Sequence, residues 1–300
     1  NYGDAMEKLL VTDIDGTITH QSHHLDKKVY ERLYALHQAG WKLFFLTGRY
    51  YKYAARLFSD FDAPYLLGCQ NGASVWSSTS SNLLYSKSLP SDLLCILQDC
   101  MEGATALFSV ESGAPYGDHY YRFSPTPIAQ DLHEYVDPRY FPNAKEREIL
   151  FETRSLKDDY AFPSFAAAKV FGLRDEVIRI QKELERQEAL TSVATMTLMR
   201  WPFDFRYAIL FLTDKSVSKG KALDRVVNIL YDGKKPFVMA SGDDANDLDL
   251  IERGDFKIVM SSAPEEMHVH ADFLAPPADK NGILSAWEAG VRYYDDLMSL

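Results

Sequence analysis

One local pattern recurs near both ends of the chain: a short, wholly apolar run stops at Asp, Gly or Thr, and a helix-period stretch follows. Leu9-Leu10-Val11 ends at such a cluster, and Val29, Leu33 and Leu36 then recur at i, i+4 and i+7 before Gly40. Leu43-Phe44-Phe45-Leu46 ends at Thr47-Gly48-Arg49 and is followed by a helical pattern through Tyr53, Ala54, Leu57 and Phe58, then by a strand at Tyr65-Leu66-Leu67. Late in the chain the same rhythm returns. Ala222, Leu223, Val226, Val227 and Leu230 make a helical stripe closed by Gly233, and Phe237-Val238-Met239-Ala240 stops at Ser241-Gly242-Asp243. Ile258-Val259 and Phe273-Leu274 extend the series. Strands without a polar face must be covered on both sides, so the pattern predicts an α/β fold around a doubly wound, Rossmann-like parallel sheet.

Between about Leu84 and Thr213 the rhythm breaks. Prolines and aromatics concentrate there, as in Tyr116 to Phe123 and Tyr135 to Phe141. A charged helix is expected from Arg174 to Gln187, with strands at Thr195–Met199 and Tyr207–Leu212. The middle therefore reads as an inserted α/β domain over 84–213, within a core built from 1–83 and 214–300. At 300 residues the chain is long enough for two domains. Ser77 to Ser81 reads as a short polar loop.

Charge narrows the partners. Forty-three Asp and Glu against 32 Lys and Arg leave a net charge of −11, so there is no basic surplus to release counterions from nucleic acid. An acidic balance does not exclude phosphate ligands, because a bound cation reverses the local sign. No run of about 18 apolar residues predicts a membrane span, and no secretory signal is visible. The three cysteines, Cys69, Cys95 and Cys100, have no metal-ligand spacing and suit a reducing compartment. The expectation is a soluble cytoplasmic protein.

Four segments carry chemistry. Asp13-Ile14-Asp15-Gly16-Thr17 follows the first strand. An Asp-Gly pair can be nothing more than a tight turn, but two carboxylates at the end of a parallel strand lie where open α/β sheets bind ligands. The first is suited to act as nucleophile and the second as proton donor, with Gly16 letting the backbone turn sharply. Thr47-Gly48-Arg49 is either a structural turn or a hydroxyl and amide set for an oxyanion. Lys219-Gly220 opens a helix; a lone Lys is ordinarily a solvated charge. Gly242-Asp243-Asp244-Ala245-Asn246-Asp247 offers several hard oxygens suited to Mg²⁺, or simply caps the helix that follows. EF-hand, P-loop, dinucleotide-fingerprint and His-based zinc spacings are absent, and His23-His24 reads as a solvated loop.

Taken in order, D-x-D-G-T, Thr-Gly-Arg, Lys-Gly and G-D-x-x-N-D, this set resembles the haloacid dehalogenase superfamily. The long insertion and the segment Gln70-Asn71-Gly72-Ala73 resemble its type IIB branch, the Cof-like and sucrose-phosphatase-like hydrolases. The resemblance implies a C2B-type α/β cap, a lid that restricts the site to small substrates, and a Mg²⁺-dependent phosphatase acting on a small phosphorylated metabolite such as a sugar or polyol phosphate. It implies that Asp13 attacks phosphorus to give an aspartyl-phosphate and that Asp15 serves as acid and then base. Asp13, the Asp15 backbone carbonyl and Asp243 would hold Mg²⁺, with Asp247 close by. Thr47 and Lys219 would bind the phosphoryl group, Asn246 would orient Asp243 or the lysine, and Arg49 and Asn71 would face the substrate. Asp244 falls at the family's variable position and is expected to be solvated. In the inserted domain, His119, Tyr120, Tyr121, Arg122 and Lys169 either line the substrate pocket or belong to the domain's own core.

Three other readings compete. A phosphomutase of the phosphomannomutase type carries Arg-Asn-Gly where this chain has Gln70-Asn71-Gly72. An Asp-x-Asp glycosyltransferase leaves Lys219 and the late acidic cluster unexplained. A non-catalytic binding protein with the same core is disfavoured by the intact pair Asp13 and Asp15.

Overall fold

The computed structural model describes residues 6–79 and 82–300. The strands of the N-terminal flank are β1 (Lys8–Thr12), β2 (Trp41–Leu46), β3 (Leu66–Cys69), β4 (Ser74–Ser77) and β5 (Asn82–Ser86). The middle contributes β6 (Leu89–Pro90), β7 (Leu107–Glu111), β8 (Tyr120–Phe123), β9 (Leu150–Thr153), β10 (Ser164–Phe165), β11 (Ala167–Leu173), β12 (Ala194–Arg200) and β13 (Tyr207–Asp214). The C-terminal flank adds β14 (Phe237–Gly242), β15 (Phe256–Met260) and β16 (Phe273–Ala275). The chain divides into two compact units. One comprises the chain up to Gly48 with Ala54–Leu84 and Ser218–Leu300; the other comprises Arg49–Tyr53 and Tyr85–Val217.

The first unit is built on an eight-stranded sheet in the order β16-β15-β14-β1-β2-β3-β4-β5. From β16 to β3 every neighbour is parallel; β4 turns antiparallel on β3. The chain winds outward from β1 through β2 and β3, then returns to the far side of β1 at β14. The carboxyl ends of β1 and β14 therefore flank the switch point, where open sheets of this kind bind ligands. Register brings Thr12 opposite Ser241, and the Ser241 hydroxyl donates to the Thr12 hydroxyl at 2.6 Å. That cross-strand bond pins the two strand ends immediately before Asp13 and Asp243.

Alternation assigns each side chain to a face. Leu9, Val11, Phe44, Leu46, Val238 and Ala240 pack with Leu223, Val226 and Leu250 in one buried cluster, covered by the helix Lys219–Leu230. On the other face Trp41 and Phe237 meet the ring of Tyr294 from the helix Ile283–Met298. A Cβ at Gly290 would lie 2.2 Å from Met239 Sδ, so that helix crosses the sheet closely because the position is Gly. The helix Lys27–Gln38 buries Val29, Leu33 and Leu36, as the spacing predicts; the Asp26 carboxylate accepts from Lys28 N at its start. The helix after β2 is shorter than its apolar pattern suggests. It spans Tyr51–Arg56, and Leu57 and Phe58 lie buried in the turn beyond it. Tertiary burial rather than helix period explains why those two positions are apolar. Ser77 belongs to β4 rather than to a loop, and Ser80 and Ser81 lie outside the described residues.

The second unit has its own six-stranded sheet in the order β12-β13-β11-β7-β8-β9, antiparallel except for β8 with β9, and a two-stranded pair of β6 and β10. Phe108, Val110, Val170, Leu210 and Leu212 on one face pack against Val177, Ile180 and Leu184 of the helix Arg174–Glu185. Tyr121 joins that core. Arg122 is 2% exposed and is held by Asp137 and Glu152 at 2.5 and 2.7 Å. Of the five aromatic and basic candidates in this domain, these two are thus committed to its interior. Lys169 pairs with Glu111 at 2.7 Å, and the His119 ring lies 4.7 Å from that of Phe162.

Candidate active site

The acidic site grows from strand ends. β1 delivers Asp13, 5% exposed, and the chain then turns through Gly16 at φ +81°, with Gly16 N donating to Thr19 O at 2.8 Å. A Cβ at Gly16 would sit 2.1 Å from Asp243 Oδ2. The turn therefore needs Gly for its backbone conformation and for the approach of the late acidic loop. Thr17, fully buried, donates to Asp13 Oδ2 at 3.1 Å and lies 3.5 Å from Asp243 Oδ1. It bridges the two segments, a role its place within the first motif did not reveal. Asp15 is partly exposed and pairs with Thr19 across the turn.

β14 delivers the second acidic segment. Asp244 is the N-cap of the short turn Ala245–Asp247: its carboxylate accepts from Ala245 N at 2.7 Å, in a reciprocal capping box with Asp247. It is 7% exposed, which corrects the expectation of a solvated residue; the cap consumes its carboxylate. Asp247 is fully buried. Its Oδ2 accepts from Asp243 N and Asp244 N at 2.9 and 3.2 Å, and its Oδ1 accepts from Lys219 Nζ at 2.6 Å. A Cβ at Gly242 would meet Asp247 Cβ at 2.4 Å, so the loop folds back tightly on its own strand.

Lys219 completes the cluster. It opens the helix Lys219–Leu230, whose N-cap Ser218 accepts from Lys221 N at 3.1 Å. Its ammonium is 0% exposed and donates to Asp13 Oδ1 at 2.7 Å as well as to Asp247. Burial alone would lower its pKa, but the two carboxylates prevail and raise it, so the lysine stays charged. A solvated lysine is thereby excluded.

Carboxylate oxygens of Asp13, Asp243 and Asp247 all lie within 4.8 Å of one another. Burial, then the charge of Asp13, holds the Asp243 carboxyl well above the usual carboxylate range. Burial and Asp13 push Asp247 up to about 7 against the pull of Lys219. Were all three carboxylates ionised, one ammonium would leave two negative charges uncompensated; a divalent cation would favour that ionised state, and the hard-oxygen donor set fits one. Asp15 is not part of this carboxylate group; the resemblance assigns it a backbone carbonyl.

The remaining candidates do not all fall in one cluster. Thr47, 1% exposed, follows β2; its N–H donates to Gly68 O and its carbonyl accepts from Asn71 N at 2.8 Å. Asn71 is in the left-handed region at φ +59°, and its Oδ1 accepts from Asn246 Nδ2 at 3.1 Å. Asn246 therefore reaches Asn71 rather than Asp243 or Lys219. Arg49 belongs to the second unit, where its guanidinium lies 3.8 Å from the centroid of the Tyr53 ring and donates to Tyr53 O at 3.3 Å.

Comparison with known proteins agrees with this architecture. Residues 10–286 match the family of haloacid dehalogenase-like hydrolases, and the chain belongs to that family. A phosphoglycolate phosphatase of Archaeoglobus fulgidus is 29% identical over 116 residues, 39% of this chain and 50% of that protein. The chain thus spans about half the length of that relative. The YxeH protein of Bacillus subtilis is 24% identical over 290 residues, covering 94% of this chain and 97% of its own. Among solved structures, a haloacid dehalogenase-like hydrolase from Bacteroides thetaiotaomicron superposes with a TM-score of 0.67 at 22% identity, over 94% of this chain and 98% of its own. A subclass IIB sugar phosphatase gives 0.70 at 20% identity over 94% and 98%. These structural likenesses share the α/β fold with its parallel core sheet.

Proposed function

We propose that the protein is a Mg²⁺-dependent phosphomonoesterase that works through an aspartyl-phosphate on a small phosphorylated metabolite, a sugar or polyol phosphate. The observation that carries this reading is the buried ammonium of Lys219 donating to Asp13 beside Asp243 and Asp247. The names of two relatives, a phosphoglycolate phosphatase and a sugar phosphatase, point the same way. We also keep 84–213 as an inserted cap, and the cytoplasm as its location.

Asp13 attacks phosphorus, and the alcohol of the ester leaves with a proton from Asp15. Asp15, now a carboxylate, then takes a proton from the water that attacks the acyl phosphate, regenerating Asp13 and releasing phosphate. Thr17 holds Asp13 Oδ2, which fixes the rotamer of the nucleophile. Lys219 and Thr47 meet charge on the transferring group. Asn71, oriented by Asn246, and Arg49 serve the substrate. A carboxylate approaching a phosphate dianion is repelled by roughly 1 kcal/mol per charge pair at ~4 Å in water and about 4 at an effective dielectric of 20. Mg²⁺ held by Asp13, Asp243 and the Asp15 carbonyl, with Asp247 beside it, would supply the charge neutralisation that this approach requires.

The reading is tested by phosphate release from a panel of sugar, polyol and nucleotide monophosphates, with Mg²⁺ and with EDTA. Metal-dependent release on small esters is expected. Metal-independent turnover contradicts the reading, and phosphoryl transfer from a bisphosphate without net release would make the protein a mutase.

A further inference from the structure

Beside the lysine lies a second set of contacts that the chemistry above does not use. Gly220 N donates to Asp249 Oδ2 at 3.1 Å. Arg253 donates from Nη1 to Asp249 O at 2.8 Å, and from Nε and Nη2 to Asp224 Oδ1 and Oδ2 at 3.0 and 3.1 Å. Asp224 lies on the helix that Lys219 opens, whereas Asp249 and Arg253 lie in and just after the helix Leu248–Glu252, directly beyond Asp247. The four residues thus tie the helix of the lysine to the segment of its carboxylate partner. A Cβ at Gly220 would lie 2.3 Å from Arg253 Nη1 and 2.6 Å from Asp249 Oδ2, so a larger residue would push these two side-chain ends aside.

We propose that Asp249, backed by Arg253, is a positioning residue that sets where the Lys219 ammonium sits for phosphoryl transfer; this rests on the function proposed above. The first N–H groups of a helix have no partner within it, and they commonly bind anions. Here Ser218 takes Lys221 N and Asp249 takes Gly220 N. Those two amides are therefore committed, and the buried cation that this helix brings to Asp13 and Asp247 is the ammonium of Lys219. A long, flexible side chain gives precision only if its backbone is fixed, and displacement of a reacting group by about 1 Å can cost about a hundredfold in rate. Asp249 fixes that backbone one residue from the lysine. The Arg253–Asp224 pair is 30% and 55% exposed, so it adds little stability; its two-pronged geometry supplies orientation instead.

The test compares wild type, Asp249→Ala, Asp249→Asn and Arg253→Gln by steady-state hydrolysis of p-nitrophenyl phosphate with Mg²⁺, with crystal structures of wild type and variants. Asp249→Ala is expected to lower kcat about tenfold, the scale of one lost hydrogen bond to a charged group, while KM stays within about twofold. Asp249→Asn keeps an oxygen for Gly220 N and is expected to retain most of kcat. Full kcat in Asp249→Ala, or equal loss in the Ala and Asn variants, overturns the proposal. Should Asp249→Ala not fold, Arg253→Gln carries the test: a lower kcat at unchanged KM supports it, and an unchanged kcat overturns it. If wild type hydrolyses no ester, the proposed function fails by itself. The structures then decide the positioning role: a Lys219 ammonium displaced from Asp13 and Asp247 supports it, and an undisturbed one overturns it.

Discussion

Lys219 is the residue on which charge and geometry converge. It is the shared partner of Asp13 and Asp247, so Lys219→Met should leave two buried carboxylates facing each other. A loss of about 3–5 kcal/mol of stability is expected, the usual cost of removing one partner of a buried pair, and is measurable by urea denaturation. The acid side of the cluster makes a second prediction. Asp247 titrates near 7 in the fold, above its unfolded value of 3.8. A raised carboxyl pKa means that the native state binds more protons than the unfolded chain between about pH 4 and 7, so the site's contribution to stability falls as pH rises through that window. A divalent cation offsets the negative charge that Asp247 gains on deprotonation, so the rise in Tm produced by Mg²⁺ over EDTA should grow from pH 5 to pH 8. An equal rise at both pH values would contradict the charge count. Sequence made the acidic residues legible as a set, because they cluster at strand ends. It did not show that Asp244 is spent on a cap, that Thr17 bridges two loops, or that Asn246 reaches Asn71. Those pairings join positions up to 226 residues apart, and no local period encodes them.

At the scale of elements, strands β1, β2, β3, β14, β15 and β16 and the helices Lys27–Gln38 and Lys219–Leu230 were legible because each has a face to bury and a stop signal, whereas β4, β5 and the helix Ile283–Met298 were not anticipated. The helix Lys219–Leu230 shows why. Its apolar stripe buries Ala222, Leu223, Val226 and Val227, while Leu230 at its end is 43% exposed. Leu223→Ala removes side-chain volume from a cluster that includes Val11, Phe44 and Val238, and should cost about 2–4 kcal/mol in a denaturation experiment. Ser218→Ala removes only the cap and should cost about 1 kcal/mol. If the Ser218 variant were as damaging as the Leu223 one, the helix would owe its place to capping rather than packing. The middle of the chain was less legible. Its strands β7, β8 and β11 mix apolar positions with Glu111, Arg122 and Lys169, whose burial depends on partners supplied by other strands and helices. An aromatic and basic stretch such as Tyr120 to Arg122 therefore reads equally well as pocket wall or core until its partners are known.

For the whole molecule, the net charge of −11 disfavours a polyanion as partner, yet the buried acidic group is the feature that best suits a phosphate ester once a cation and Lys219 are present. The fold explains how both hold: parallel strands β1 and β14 end side by side, so acidic residues distant in sequence meet at one point. The central claim is that Asp13 is a covalent nucleophile. It is tested most directly by acid-quenching the protein during turnover of a phosphate ester with Mg²⁺ and mapping the phosphoryl group on its peptides. The account predicts label on the peptide containing Asp13, absent in Asp13→Asn together with turnover. Undiminished turnover in Asp13→Asn, or label on a different residue, would contradict it.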